Sequence, residues 1–71
     1  MEKNKDLVIL GKQLRLQRVK NGLTQVELAS KAALDRNYVG MIERGERNPS
    51  YLSLLKIAKV LNITVGELLT M

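Results

Sequence analysis

The side chains best suited to specific chemistry lie in one stretch, residues 34–50, with the sequence LDRNYVGMIERGERNPS. Arg36 can donate two hydrogen bonds to guanine O6 and N7, and the Asn37 carboxamide can bond adenine at N6 and N7. Met41 can contact a thymine methyl. These residue types suit the reading of base edges in duplex DNA. The alternative interpretation is an ordinary solvated helix end.

The helical period indicates which of these side chains face outward, since each residue of an α-helix turns by about 100°. We take Val39 as the inward residue because it is apolar. The outer side then carries Asn37, Met41 and Arg44. Arg36 lies at the helix start, where a long side chain can extend past the end. A recognition helix enters the major groove with its N-terminal residues nearest the bases, so this arrangement favours base contact by Arg36 and Asn37.

Two residues on the flanks of this helix have two interpretations each. Gly40 lowers helix stability by about 1 kcal/mol relative to alanine. It either lets the helix backbone come close to DNA or is simply tolerated at the flank. Tyr38 lies at the packing boundary, where its hydroxyl could bind a phosphate or its ring could be half-buried. We favour the phosphate contact for Tyr38.

Composition excludes several other classes of function. The chain has 71 residues, enough for one domain spanning residues 1–71, and it contains neither cysteine nor histidine. No metal site, cofactor site or catalytic constellation is therefore expected, and no apolar run approaches the roughly 20 residues of a membrane span. The default location is the cytoplasm. A net charge of +5 favours an anionic partner, whereas only two aromatic residues argue against a base-stacking surface.

Apolar spacing and capping signals predict an all-α chain of five helices after a loose arm at residues 1–5. Thr24 and Thr64 each open a capping box, and Asp35 is a good N-cap. Gly45 suits the position just after the third helix. The predicted helices span about residues 6–20, 24–32, 35–44, 50–61 and 64–70. The second and third, joined by a very short turn, form a helix-turn-helix at about residues 24–44.

The sequence of residues 23–61 resembles the Cro/repressor-like (XRE-type) helix-turn-helix family of bacterial and phage regulators. Gln25 opens the second helix, small Ala29 lets the two helices approach, and "IERG" with the following "NPS" completes the pattern. The resemblance covers about residues 10–69. It implies a compact five-helix, lambda-repressor-like domain that binds operator DNA, usually as a homodimer.

The resemblance also implies a role for individual residues. Its base-reading positions match Arg36, Asn37 and Met41, with Gly40 alongside. The Gln25 amide is expected to contact a phosphate and to support the base readers. The glutamate of the motif, here Glu43, is expected to pair with Arg18 and tie the first helix to the third. Further backbone contacts are expected on the far side of the third helix, from Arg44, Arg47 and Asn48.

One position departs from the family pattern. Ala33 stands in the turn where glycine is usual. A left-handed conformation costs a non-glycine residue about 1–2 kcal/mol. Either the turn is adjusted in this chain or Ala33 carries that cost.

The C-terminal region, about residues 60–71, carries more apolar surface than one short helix needs for docking. Some of these side chains must face the core. The remainder are expected to form a symmetric dimer contact, which would place two recognition helices about 34 Å apart, one turn of DNA. The candidate dimer residues are Ile63, Val65, Leu68, Leu69 and Met71.

The function expected from these patterns is sequence-specific transcriptional regulation through a (pseudo)palindromic operator. Residues 34–50 look like the controller proteins of restriction–modification systems. A phage or mobile-element repressor is the next interpretation, and an antitoxin-type interaction module with secondary DNA binding is a third. An enzyme is not expected, because the serine hydroxyls have no evident base.

Overall fold

The computed structural model describes residues 4–70, which form five α-helices and contain no strand. The helices are α1 (Lys5–Lys20), α2 (Gln25–Ala32), α3 (Arg36–Glu43), α4 (Tyr51–Leu61) and α5 (Val65–Leu69). The predicted all-α class and number of helices are therefore confirmed, with ends within about one residue of those expected.

The start of α1 corrects the expected length of the N-terminal arm. The Asn4 side chain caps the helix, accepting hydrogen bonds from the backbone amides of Asp6 at 2.8 Å and Leu7 at 3.3 Å. Asn4 and Lys5 therefore belong to the beginning of α1, because a capped helix satisfies its first free N–H groups. Residues 1–3 of the predicted arm lie outside the described residues.

Capping boxes fix the starts of α2 and α5, as their sequences predict. The Thr24 amide donates to Glu27 Oε1 at 2.9 Å, and the Glu27 amide donates to Thr24 Oγ1 at 3.0 Å. The hydrogen bond from the Thr24 backbone lowers the pKa of the Glu27 carboxyl below its usual value. Thr64 and Glu67 form the same reciprocal pair at α5. Each box satisfies two N–H groups that would otherwise lack a partner.

The turn between α2 and α3 keeps the left-handed geometry, and Ala33 carries its cost. Ala33 has φ 56° and ψ 44°, and the Leu34 amide closes the turn by donating to the Ala29 carbonyl at 2.8 Å. Asp35 then caps α3, with its Oδ1 accepting from the Asn37 amide at 2.7 Å. The short turn thus sets the direction of α3 at some expense in backbone energy.

Replacing Ala33 by glycine should raise the free energy of unfolding by about 0.5–1 kcal/mol, because relief of the left-handed strain exceeds the added entropy of the unfolded chain. Urea denaturation followed by circular dichroism would measure the change. The neighbouring helical residue Ala32, changed to glycine, is the matched control and should lose stability. A loss at residue 33 as large as that at residue 32 would contradict the prediction.

A single core holds the described helices together, and α3 lies across it. The side chains of Val39 and Ile42 are fully buried, as the helical period predicts, and α3 packs on both α1 and α2. α4 packs on α2, and α5 closes the core against α1 and α4. The largest fully buried side chains are Leu14, Leu28, Val39, Ile42, Ile57 and Leu68.

Gly11 brings α1 into direct contact with the end of α3. A Cβ at this position would lie 2.5 Å from the carbonyl oxygen of Glu43 and 2.8 Å from its carbonyl carbon. Both are backbone atoms, so any side chain at residue 11 would have to separate the two helices. Gly45, which follows α3 at φ +75°, similarly leaves room for Val8 of α1. The α1–α3 contact thus holds the C-terminal end of α3 in place.

The structure corrects the set of C-terminal residues expected at a dimer contact. Leu68 is fully buried in the core and is not available to a partner. Ile63 and Val65 are half-buried and pack against the same core, whereas Leu69 is 52% exposed. Met71 lies outside the described residues. The face of α5 that carries Leu68 therefore packs into the core and is not part of the outer surface.

Candidate nucleic-acid interface

The outward face of α3 forms one wall of an open groove, which we call the reading groove. Arg36 and Asn37 are exposed at the start of α3, while Val39 and Ile42 point away into the core. The opposite wall is the first turn of α2. The residues that line the groove are Gln25, Val26, Arg36, Asn37, Gly40 and Arg44. The short turn and the shared core therefore bring the helix starts of α2 and α3 to one surface.

An ion pair beneath the groove ties α1 to α3. Arg18 Nε lies 2.6 Å from Glu43 Oε2, and Arg18 Nη2 donates to Glu43 Oε1 at 3.0 Å. The two side chains are only 12% and 3% exposed. The hydrogen bond with Glu43 raises the pKa of the Arg18 guanidinium, and burial opposes this effect. Arg18 Nη1 also donates to the Leu23 carbonyl at 2.8 Å, so the guanidinium reaches the loop before α2.

Gln25 joins this network from α2, an arrangement that spacing alone does not show. Its Nε2 donates to Glu43 Oε1 at 3.1 Å. The Gln25 amide is therefore oriented by Glu43, and its Oε1 is turned toward Gly40. A carboxamide carries a second N–H for an outside acceptor. The N-terminal end of α2 adds partial positive charge at the same place.

Gly40 lies on the flank of α3, at a point where its lack of a side chain leaves space for two polar groups. It is buried, and a Cβ there would lie 3.1 Å from Arg44 Nη1 and 3.3 Å from Gln25 Oε1. The ends of two polar side chains therefore lie over Gly40 in the reading groove.

Arg44 lies in the reading groove rather than on the far side of α3. Its Nε is 3.2 Å from both carboxylate oxygens of Glu46, and both side chains are largely exposed. The terminal nitrogens extend back over Gly40 toward Gln25. Arg44 thus adds a second guanidinium to the surface that carries Arg36.

The other side of α3 joins Tyr38 to the segment before α4. The Tyr38 hydroxyl accepts a hydrogen bond from the Ser50 amide at 3.4 Å, and the Arg47 guanidinium lies 5.4 Å from the ring centroid. Tyr38 is half-buried: its ring packs against the core, and its hydroxyl lies at the edge of the surface, beside Ser50. Arg47 and Asn48 are exposed beside it, and Met41 is half-buried on the same side.

Val26 is a lining residue of the reading groove that sequence reasoning did not single out. It is 51% exposed and lines the reading groove between Gln25 and the start of α3. The available signal was an apolar side chain directly after the N-terminal residue of α2. An apolar group there can pack against a deoxyribose or a base methyl.

Residues 4–70 contain no group of three or more acidic, histidine or cysteine side chains that could hold a metal ion. Within that range no helix is long and apolar enough to cross a membrane. The polar groups that converge in the groove are amides and guanidiniums, which suit phosphates and base edges.

The chain is similar in sequence and in structure to known DNA-binding regulators and controller proteins. The control protein C.SmaI of Serratia marcescens is 44% identical over 62 residues, which cover 87% of this chain and 74% of C.SmaI. The crystal structure of the restriction–modification controller protein C.AhdI from Aeromonas hydrophila is 48% identical with a TM-score of 0.90, and the match covers 92% of this chain and 98% of C.AhdI.

A structure of the Bacillus subtilis regulator SinR in complex with DNA is also similar. It is 35% identical with a TM-score of 0.83, over 86% of this chain and 98% of that one. The helix-turn-helix family model matches residues 14–68, which include the core and the whole reading groove. The protein therefore belongs to the helix-turn-helix family.

Proposed function

We propose that this protein is a sequence-specific regulator of transcription that binds duplex DNA through the reading groove. One observation carries the proposal: Arg36 and Asn37 are exposed at the start of α3 while Val39 and Ile42 of the same helix are fully buried. This division leaves the N-terminal end of α3 available to the major groove. Arg36 and Asn37 then contact base edges, and Met41 contacts a neighbouring base from the side.

Phosphates on the two sides of the major groove would be bound by separate groups. The second N–H of the Gln25 amide and the first turn of α2 serve one strand, where the helix dipole favours negative charge. Tyr38, Arg47 and Asn48 serve the other strand. Arg47 is held beside the Tyr38 ring, which restricts its position before DNA arrives. Such contacts orient the protein without specifying sequence.

The controller class of restriction–modification systems is the best-supported biological role. The similarity to C.SmaI and C.AhdI extends over most of both chains and is not confined to the helix-turn-helix. In this role the protein would regulate its own operon together with the nuclease gene. A phage or mobile-element repressor and an antitoxin-type module are the competing roles. Binding to the promoter of a neighbouring nuclease gene supports a controller, whereas copurification of a stoichiometric partner supports an antitoxin.

The direct test of DNA binding is a titration of duplex DNA across a series of salt concentrations. Six to ten phosphate contacts predict a loss of roughly 10³–10⁵ in affinity between 50 and 200 mM salt. Selection from random duplex DNA should then enrich one motif. Absence of a salt-dependent interaction would overturn the proposal, and a salt slope without a motif would reduce the protein to a nonspecific binder.

Dimerisation is proposed through the groove between α1 and α5, with a second copy of the chain as the partner. Leu69 of α5 is exposed in this groove, and the α1 side of the groove is lined by Leu7, Ile9 and Leu10. Val65 at the start of α5 and Ile63 in the loop before it are half-buried and pack against the core. An isologous contact here would present two reading grooves to the two halves of a palindromic operator. The enriched motif should therefore contain two inverted half-sites about one DNA turn apart.

Leu69→Asp should convert the dimer to a monomer, because it would bury a charge at the proposed contact. Sedimentation equilibrium at high protein concentration measures the mass. Leu16→Asp is the matched control, since Leu16 is equally exposed but lies outside this groove. A wild-type protein that stays monomeric with and without operator would refute dimerisation.

A further inference from the structure

The absence of a side chain at residue 40 determines where two polar side chains lie in the reading groove. Gly40 is buried in the middle of α3, where alanine would be favoured by about 1 kcal/mol on helix propensity alone. A Cβ would meet two groups: Arg44 Nη1 at 3.1 Å and Gln25 Oε1 at 3.3 Å. Both are the ends of side chains, so the space left by Gly40 is filled by functional groups rather than by core.

Each of these two side chains is held from its other end. Gln25 is anchored by its hydrogen bond to Glu43, which is itself fixed by Arg18. Arg44 is oriented by Glu46, whose carboxylate binds the Nε edge of the guanidinium. The amide and the guanidinium therefore converge above Gly40 from opposite directions. Gly40 thus provides the space in which the side chains of Gln25 and Arg44 meet.

We propose that Gly40 is a positioning residue for DNA binding: its missing side chain lets Arg44 lie in the reading groove beside Gln25, where the two bind one DNA phosphate or base edge together. This inference rests on the proposed function. It assigns Arg44 to the groove that carries Arg36. The Arg44 guanidinium supplies donors that suit a phosphate oxygen or the O6 and N7 of guanine. Gln25 Oε1, which faces Gly40, is an acceptor, so the donor that Gln25 can add is the second N–H of its amide.

The competing explanation is that glycine lets the DNA backbone approach α3 directly. The geometry disfavours it, because Gln25 and Arg44 already cover residue 40 and DNA would have to displace both. The two explanations differ in one measurable respect. Under the proposal the effect of a side chain at residue 40 depends on Arg44, and under direct approach it does not.

The test is a double-mutant cycle of Gly40→Ala and Arg44→Ala, read as affinity for the selected duplex by fluorescence anisotropy. Gly40→Ala should weaken binding roughly three- to tenfold, the size expected for the loss of one ordinary hydrogen bond. In the Arg44→Ala background the further loss should be clearly smaller, because only the contact with Gln25 then remains. Its urea midpoint should be no lower than that of the wild type.

Gly66→Ala is the matched control. Gly66 is exposed in α5, and a Cβ there would make an ordinary contact at 3.7 Å with Thr64 Oγ1, so this variant should bind DNA as the wild type does. Unchanged binding by Gly40→Ala, an equal loss with and without Arg44, or a lowered urea midpoint would each overturn the inference. A wild-type protein that binds no duplex would instead overturn the proposed function, before any variant is compared.

Discussion

Replacing Glu43 by glutamine should lower the free energy of unfolding by about 3–5 kcal/mol, because it leaves the Arg18 guanidinium charged and largely buried without its partner. A domain of 71 residues is stable by only about 4–11 kcal/mol, so the loss would be a large fraction of the total. DNA binding should weaken as well, since Glu43 also orients Gln25 at the reading groove. Urea denaturation and duplex titration measure the two effects.

Glu46→Gln provides a control of the same chemistry for stability. Glu46 forms an exposed pair with Arg44, and such pairs contribute about 0–1 kcal/mol. Its substitution should therefore leave the urea midpoint nearly unchanged. If Glu43→Gln were as stable as the wild type and bound DNA equally well, Glu43 would neither stabilise the fold through Arg18 nor orient Gln25 for DNA binding.

Arg36→Ala should weaken binding to the selected duplex by about 1–3 kcal/mol, or roughly five- to 150-fold, and should relax the preference at one base pair of each half-site. The reason is that Arg36 projects from the start of α3 with no role in the core. The prediction is measured by titrating wild type and variant against the selected sequence and its single-base-pair substitutions. The free energy of unfolding should not change.

Arg47→Ala separates base reading from phosphate binding. Arg47 lies beside Tyr38 at the edge of the interface, so its loss should weaken all sequences alike and reduce the salt slope by about one. Should Arg36→Ala behave in the same way, lowering affinity without changing sequence preference, Arg36 would be a phosphate contact and the assignment of α3 as the base reader would fail.

Most of the fold could be predicted because its signals are local. The capping boxes at Thr24 and Thr64 act over three residues. With apolar Val39 taken as inward, the helical period places Ile42 on the same side, and both are buried. The left-handed turn at Ala33 was anticipated as one of two outcomes. The exposure of Asn37 followed from the same period and that of Arg36 from its place at the helix start, so the direction of the candidate interface could be predicted from the sequence.

What the sequence could not supply depends on contacts between helices. The close approach at Gly11 requires the path of α1 across the end of α3, which no local pattern records. Gly40 was placed on the flank correctly, but Gln25 and Arg44 cover it only once α2 and α3 are packed. Leu68 illustrates the same limit, because apolar residues of a terminal helix look alike until the core shows which of them it buries.

The central claim is that the starts of α2 and α3 form the DNA-binding face, and amide chemical-shift mapping tests it most directly. A duplex carrying the selected motif would be titrated into ¹⁵N-labelled protein at moderate salt. We predict the largest shifts at residues 25–26, 36–41 and 47–50, with small shifts on the outer side of α1. Largest shifts on the outer side of α1 at residues 12–19, with residues 36–41 unchanged, would contradict the account.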